Sequence, residues 1–76
     1  MRPADKLNVT ITHIERLNNS VNGNPRFEIT FSDGSTHRTQ SDASISYSIT
    51  NKEFRGPINV WLSKRRTIEY ATPVDR

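Results

Sequence analysis

The sequence predicts a small domain of mainly β structure with one short helix. Residues 27–31, FEITF, alternate apolar and polar side chains, and residues 58–62, INVWL, do the same near the other end of the chain. Alternation with period two places the apolar residues on one face of a strand. Asp33-Gly34 follows the first of these runs, and Asp-Gly between two strand-like runs is a strong hairpin signal.

Length and composition allow one domain over residues 1–76, with short flexible ends at 1–5 and 73–76. A chain of 76 residues, of which 32% are hydrophobic, has only a small core. The apolar residues nevertheless fall into periodic sets, which a disordered chain would lack. Such a thin core makes a partner subunit that buries more apolar area a reasonable expectation.

The chain has no cysteine, which excludes disulfides and thiolate metal sites and fits a reducing, cytoplasmic setting. No run is apolar enough for a signal peptide or a membrane span. The formal net charge is +3 and the sequence pI is about 9.8. A positive charge favours encounters with nucleic acid or with an acidic protein surface.

The first predicted strand is long and bent. Its apolar phase slips by one residue near Thr12-His13, which predicts a β-bulge there. Residues 18–24 are rich in Asn, Ser and Gly and read as a surface loop before the strand at 27–31. The apolar residues of the first strand are Leu7, Val9, Ile11, Ile14 and Leu17.

The stretch after the Asp33-Gly34 turn is predicted as a polar third strand, residues 36–40. Ser41-Asp42-Ala43 then resembles a helix start, and apolar residues recur at four-residue spacing through Ile49. We expect a short helix over residues 42–50. The same stretch, SISYSIT, also alternates and is rich in β-formers, so a strand is the competing interpretation.

Residues 51–57 break the pattern at Gly56-Pro57 and let Phe54 fold back as a plug on the core. A last hairpin follows, in which residues 58–62 pair with a strand carrying Ile68 and Tyr70. The order of three strands, a helix and two strands predicts a five-stranded OB-like or SH3-like barrel, because rolling up the sheet removes its edges. An open, curled α+β sheet is the alternative.

Catalysis finds little support in the sequence. His13 and His37 are the two histidines, and neither stands in a metal-ligand spacing. A hydrolytic or transfer site needs a nucleophile beside an oriented base, and no such motif occurs. We therefore expect a protein that is not an enzyme and that has no metal or cofactor.

A binding role is the stronger hypothesis. Trp61 faces outward if residues 58–62 turn their apolar side inward, and Lys64-Arg65-Arg66 follows directly. Arg26 and Arg38 extend this basic surface if their strands share its outer face. These residue types are favoured at interface hot spots, so our leading hypothesis is binding to a protein. An exposed edge strand, the third one for example, also allows a homodimer.

The alternative is nucleic-acid binding. An aromatic side chain beside a basic cluster is what a single-strand binder uses, with the ring stacking on bases and the cations contacting phosphates. Trp61 and residues 64–66 would carry this role. Glu28 and Asp33 dilute the positive charge near Arg26 and Arg38.

The segment from residue 18 to 43 resembles small accessory proteins of mycobacteriophages and other actinobacterial phages. The resemblance rests on NSVNGNPRF, on the DG turn and on the TQSDA junction. That family has no established activity or site residues, so nothing catalytic is implied. The resemblance implies a phage accessory protein acting in the bacterial cytoplasm, on a host or phage protein or on nucleic acid.

Overall fold

The computed structural model describes residues 2–74, and Met1, Asp75 and Arg76 lie outside the described residues. The mainly β class is confirmed, because six strands and two short helices make up the described chain. The elements are β1 Lys6–Val9, β2 Ile11–Arg16, β3 Phe27–Phe31, β4 Thr36–Arg38, α1 Ile45–Ser48, the 3-10 helix Lys52–Phe54, β5 Ile58–Leu62 and β6 Ile68–Pro73. No helix among residues 2–74 has the length and apolar character to cross a membrane.

The strands form two antiparallel sheets, β1-β5-β6 and β2-β3-β4. The long first strand of the sequence prediction enters both sheets, because Thr10 interrupts it between β1 and β2. Ser32 N–H donates to Thr10 O at 2.8 Å and Thr10 N–H donates to Ser32 Oγ at 3.0 Å, which fixes this corner. The predicted bulge is confirmed, since the β2–β3 register shifts between Ile11 and His13.

A second junction joins the sheets at the end of β4. Thr39 forms a parallel bridge with Ile68 at the start of β6, and Gln40 N–H donates to Ile68 O at 2.9 Å. Thr39 is 2% exposed and also binds β3, where its N–H donates to Phe27 O at 2.9 Å. Closure into a five-stranded barrel stays a prediction.

The core lies between the two sheets and under the helical segment. The inward faces of β3 and β5 are confirmed, and Phe54 plugs the core as expected. The apolar sets place Leu7 and Tyr70 in the core, and this is wrong: they are 66% and 44% exposed, because the β1–β5 and β5–β6 registers shift. Ile14 pairs with the buried Ile29 on the core side but is 38% exposed, because β2 lies at the edge of its sheet. The buried hydrophobic residues are Val9, Ile29, Phe31, Ile45, Ile49, Phe54, Ile58, Val60, Leu62, Ile68 and Ala71.

The helix between the third and fourth predicted strands is shorter than residues 42–50. It spans Ile45–Ser48, and Ser44 is its N-cap residue, with no side-chain hydrogen bond. Asp42 does not cap it, because its φ of 60° is left-handed and its carboxylate is used elsewhere. The helical choice over a strand is confirmed, and Ile45 and Ile49 face the core as the four-residue spacing predicts.

Asp42 anchors the Asn-rich loop at residues 18–24. Its carboxylate accepts hydrogen bonds from Ser20 Oγ at 2.6 Å, Asn24 Nδ2 at 2.7 Å and Asn22 Nδ2 at 2.8 Å. These donors, Ser20 first, lower the pKa of the Asp42 carboxyl because they stabilise its charged form. The bonds tie the loop before β3 to the segment that precedes α1.

Asp42→Ala is expected to release this loop. A carboxyl with a lowered pKa stabilises the fold above its ordinary value of about 3.9, and this contribution is lost as the pH falls through the lowered pKa. The amides of Ser20 and Asn24 should therefore exchange faster in Asp42→Ala, and their NMR shifts in the native protein should titrate with a midpoint below about 3.9. Glu53→Ala, an exposed acid elsewhere, is the control, and equal exchange in both variants would contradict the anchor.

The two ends make defined contacts where they are described. Arg2 lies against β5 and β6, and Pro73 belongs to β6. Val74 N–H donates to Pro57 O at 3.0 Å. The expectation of flexible ends at 1–5 and 73–76 stays a prediction, and part of it falls on the residues outside the described range.

Candidate binding surface

Trp61 lies on the outer side of β5, because Val60 and Leu62 on either side of it are buried. Its cross-strand partner in β6 is Tyr70. The two ring centroids are 5.3 Å apart and the ring planes are tilted by 51°. A tilted aromatic pair of this kind contributes about 0.5–1.5 kcal/mol beyond its buried area. The sheet therefore carries an ordered aromatic pair on its outer side.

Leu7 adds an aliphatic side chain to the same side of the sheet. Lys6, the residue before it, pairs with the buried Val60 and has a side chain only 12% exposed. Alternation along β1 therefore turns Leu7 away from the core, where it is 66% exposed. We call Leu7, Trp61 and Tyr70 the aromatic face.

Arg2 fastens the N-terminal segment to this face. Trp61 Nε1–H donates to Arg2 O at 2.8 Å, and Arg2 Nη2 donates to Leu62 O at 2.7 Å. The same guanidinium pairs with Asp5 at 2.8 Å and with Glu69. The indole N–H of Trp61 is thus satisfied by the chain itself.

The two carboxylates near the aromatic face, Asp5 and Glu69, share one cation, the Arg2 guanidinium. The pKa of Asp5 is lowered first by the hydrogen bond from Leu62 N–H and then by the one from Arg2, and the charge of Arg66 adds to the effect. Asp5 and Glu69 raise the pKa of Arg2 in return. Arg2 balances one of the two carboxylate charges, so one net negative charge remains beside Trp61.

Residues 64–66 form the tip of the β5–β6 hairpin, and we call them the basic turn. Ser63 N–H donates to Thr67 O at 2.8 Å, and the two hydroxyls lie 2.7 Å apart, so the turn has a closed base. Arg66 adopts a left-handed φ of 66°, and its N–H donates to Ser63 O at 2.9 Å. Lys64, Arg65 and Arg66 are exposed, and none has an ion-pair partner among residues 2–74.

Two depressions connect the basic turn with the aromatic face. One of about 440 Å³ is bordered by Lys64, Arg65 and Gln40, and another of about 360 Å³ by Gln40, Trp61 and Tyr70. Gln40 borders both, so they form one continuous surface. Of the residues that the sequence singles out, the structure brings Trp61, Lys64 and Arg65 together here.

Arg26 and Arg38 border neither depression. Arg38 projects from the outer side of β4 and pairs with Glu28 at 3.3 Å. Arg26 is partly buried before β3, and its Nη1 reaches Asn18 O at 3.5 Å. Both guanidinium groups are held by local contacts, so the extension of the basic surface through them stays a prediction.

Sequence reasoning missed Arg2, Gln40 and Tyr70 at this surface. The β5–β6 register shifts between Trp61 and Leu62, which turns Tyr70 outward and gives the inner position to Ala71. The sequence predicts the hairpin that carries Tyr70, but it gives no sign of the shift that sets Tyr70 beside Trp61. Nothing in the sequence near Arg2 signals its contact with Glu69.

The surface offers binding groups rather than reactive ones. Within the described chain, no three His, Asp or Glu side chains lie close enough to share a metal ion. His37 Nδ1–H donates to Arg66 O at 2.9 Å and so supports the basic turn, and His13 lies on the exposed side of β2. Comparison of the chain with protein-family models, curated proteins and solved structures found no match.

Proposed function

We propose that this protein is a non-enzymatic binding domain whose aromatic face and basic turn dock on another protein. The supporting observation is that Lys64 and Arg65 of the basic turn border a depression that adjoins the one beside Trp61 and Tyr70. Neither cation has an ion-pair partner among residues 2–74. An aromatic centre with a charged rim is the usual anatomy of a protein interface. The unpaired cations favour a partner with an acidic surface.

The geometry of the aromatic pair favours a protein over a stacked base. Trp61 and Tyr70 are tilted by 51° at 5.3 Å, so no flat ring fits between them. The N-terminal segment also covers part of Trp61 through its bond to Arg2 O. The exposed parts of Trp61 and Tyr70, together with Leu7, form an uneven apolar surface. Such a surface is better matched by the side chains of a protein partner than by a flat base. The phage resemblance makes the partner a host or phage protein in the bacterial cytoplasm.

We extend the proposal to the fold, as an OB-like barrel. Taking β1 and β2 as one bent strand gives five strands, each paired with two others. The last link in this ring is the parallel bridge of Thr39 with Ile68. OB-like folds place a helix between strands three and four, as α1 lies here, and bind ligands with the loops between strands one and two and between strands four and five. The basic turn is the second of these loops.

Single-stranded nucleic acid is the second candidate, and the basic turn is the observation that favours it. Three cations without ion-pair partners in the described chain are free to contact phosphates. Such contacts release counterions, so the affinity for nucleic acid should fall steeply with salt. Trp61 is the only tryptophan, and its fluorescence therefore reports directly on ligand binding at this surface.

The proposal predicts that Tyr70→Ala weakens the complex, because Tyr70 is 44% exposed at the centre of the surface. Removal of a hot-spot side chain costs about 2 kcal/mol or more, which is roughly thirtyfold in Kd. Trp61→Ala should act similarly, provided circular dichroism shows that the fold survives. Pull-downs from bacterial host lysate, with and without nuclease, followed by titration of the purified partner, measure the effect.

The charge requirement is tested with K64E/R65E against K52E/R55E. Both variants reverse two exposed cations, but only the first pair borders the depression that adjoins the aromatic face at Gln40. A protein partner that persists after nuclease and is lost in K64E/R65E alone supports the proposal. Equal binding by both variants contradicts it. If instead the partner is lost on nuclease treatment, and oligothymidine quenches Trp61 fluorescence in a salt-dependent manner, the protein-binding proposal is wrong. The nucleic-acid function then takes its place.

A further inference from the structure

β2 is an unpaired edge in the described structure. It binds β3 on one side, and no strand of residues 2–74 pairs with its other side. Five of its six residues are exposed. An open edge presents a row of backbone donors and acceptors, which is a template for another strand. β4 is the other edge of this sheet, but it is only three residues long and the residue after it, Thr39, bridges to β6, so β2 offers the longer open edge.

The register identifies which backbone groups of β2 are free. Leu17 N–H donates to Arg26 O at 3.0 Å, and the pairing continues from there to His13 without a shift. Alternate residues of an antiparallel strand direct their N–H and C=O groups to the same side. Ile14 and Arg16 therefore point these groups away from β3, toward the open side.

An apolar hollow lies beside this open edge. It has a volume of about 230 Å³, and Ile11, Ile14, Ile49 and Phe54 contribute its apolar wall. Ile14 is 38% exposed although it pairs with the fully buried Ile29. The side chain of Ile14 is thus half covered by its own chain and leaves apolar surface next to unpaired backbone.

We infer that a second copy of this chain pairs antiparallel along β2, about a twofold axis through Ile14. Each Ile14 N–H then donates to the partner's Ile14 O, which uses the outward backbone groups. The two isoleucines meet side by side over the two hollows. In this register His13 lies opposite the partner's Glu15, which pairs a hydrogen-bond donor with a carboxylate. Thr12 lies opposite the partner's Arg16.

The sequence of β2 selects this register among its neighbours. An axis through Glu15 would place two glutamates directly opposite each other, which is destabilising. An axis through His13 would face Ile11 with the partner's Glu15 and leave Ile14 beside a threonine. Of these three axes, only the one through Ile14 sets an apolar side chain opposite an apolar one and a carboxylate opposite a hydrogen-bond donor. A twofold pairing of one strand with itself is a closed, isologous interface.

A cysteine at the axis tests the register directly, because the chain has no native cysteine. Residues in a hydrogen-bonded antiparallel pair have Cα atoms about 5.5 Å apart, within the disulfide range of about 4.4–6.8 Å. Ile14→Cys should therefore form a covalent dimer rapidly under mild oxidation. Val21→Cys, fully exposed in the Asn-rich loop, is the control and should not.

Sedimentation equilibrium tests the dimer without cross-linking. The native chain should approach twice its mass of 8.7 kDa as its concentration rises. Ile14→Lys places like charges across the axis and should raise the dimer Kd roughly a hundredfold, whereas Val21→Lys should not. E15K should weaken the dimer, and H13E/E15K should restore it by exchanging the two charges.

A native chain that stays monomeric into the millimolar range overturns the inference. A dimer that survives Ile14→Lys and gives no disulfide in Ile14→Cys also overturns it, since another surface would then hold the copies together. Cross-linking does not depend on the stability of the lysine variant, so misfolding of Ile14→Lys leaves the test intact. A strand from another protein on this edge would appear as a heterodimer with the native chain still monomeric alone.

Discussion

Phe31→Ala is expected to lower the free energy of unfolding by about 3–5 kcal/mol. Phe31 is 1% exposed and among the largest fully buried side chains, so its removal leaves a cavity between the two sheets. A chain of 76 residues has roughly 4–11 kcal/mol of stability at typical values per residue. This single change therefore removes a large fraction of it. Urea denaturation followed by Trp61 fluorescence measures the loss.

A graded series separates cavity formation from other causes. Ile29→Val removes one methylene from a fully buried site and should cost about 0.5–1.5 kcal/mol. Val21→Ala changes a fully exposed side chain and should stay within about 0.5 kcal/mol of the native protein. A loss below 1 kcal/mol for Phe31→Ala would contradict the placement of β3 at the centre of the core.

Thr39→Val should cost about 1–3 kcal/mol although the two side chains have nearly the same shape. Thr39 is 2% exposed, and its Oγ1 accepts a hydrogen bond from Phe27 N–H at 3.1 Å. Valine leaves that partly buried N–H without an acceptor. The same residue forms the bridge to Ile68, so the loss falls on the junction between the two sheets.

Two threonine controls test this explanation. Thr39→Ser keeps the hydroxyl and should retain most of the stability that valine loses. Thr36→Val changes an exposed threonine of β4, where a β-branched replacement suits the strand, and should have little effect. Equal losses for Thr39→Val and Thr39→Ser would show that packing, and not the hydrogen bond to Phe27, sets the cost. Thermal denaturation of the three variants makes the comparison.

The two proposed surfaces lie on different sheets and do not compete. The aromatic face belongs to β1-β5-β6, while the dimer edge belongs to β2-β3-β4. A dimer through β2 would carry two copies of the aromatic face and the basic turn. Linked sites of this kind gain affinity for a repetitive or dimeric partner without any new contact. A monomeric Ile14→Lys variant should then bind such a partner more weakly while its single-site affinity is unchanged.

The sequence predicted local features well, because local chemistry controls them. Alternation identified β3 and β5 and their buried faces, and the Asp33-Gly34 turn delivered β4 against β3. The Asp33 carboxylate accepts hydrogen bonds from Lys6 at 2.7 Å and from Ser35, and these hold the pKa of its carboxyl well below the usual range. The outward position of Trp61 next to the basic turn followed from the same alternation.

Tertiary structure alone decided what depends on shifts in pairing and on distant partners. Register shifts in the β1–β5 and β5–β6 pairs turned Leu7 and Tyr70 outward. The apolar pattern signals neither of these shifts, although it does signal the bulge in β2. Contacts between distant parts of the chain also decided two side-chain roles. Asp42 binds the Asn-rich loop and does not cap α1, and Arg2 O accepts the hydrogen bond from the indole of Trp61. The sequence by itself determined β3 and β5 and their buried faces. The folded chain determined which side chains share a surface, because that depends on strand order and register between segments far apart in the chain.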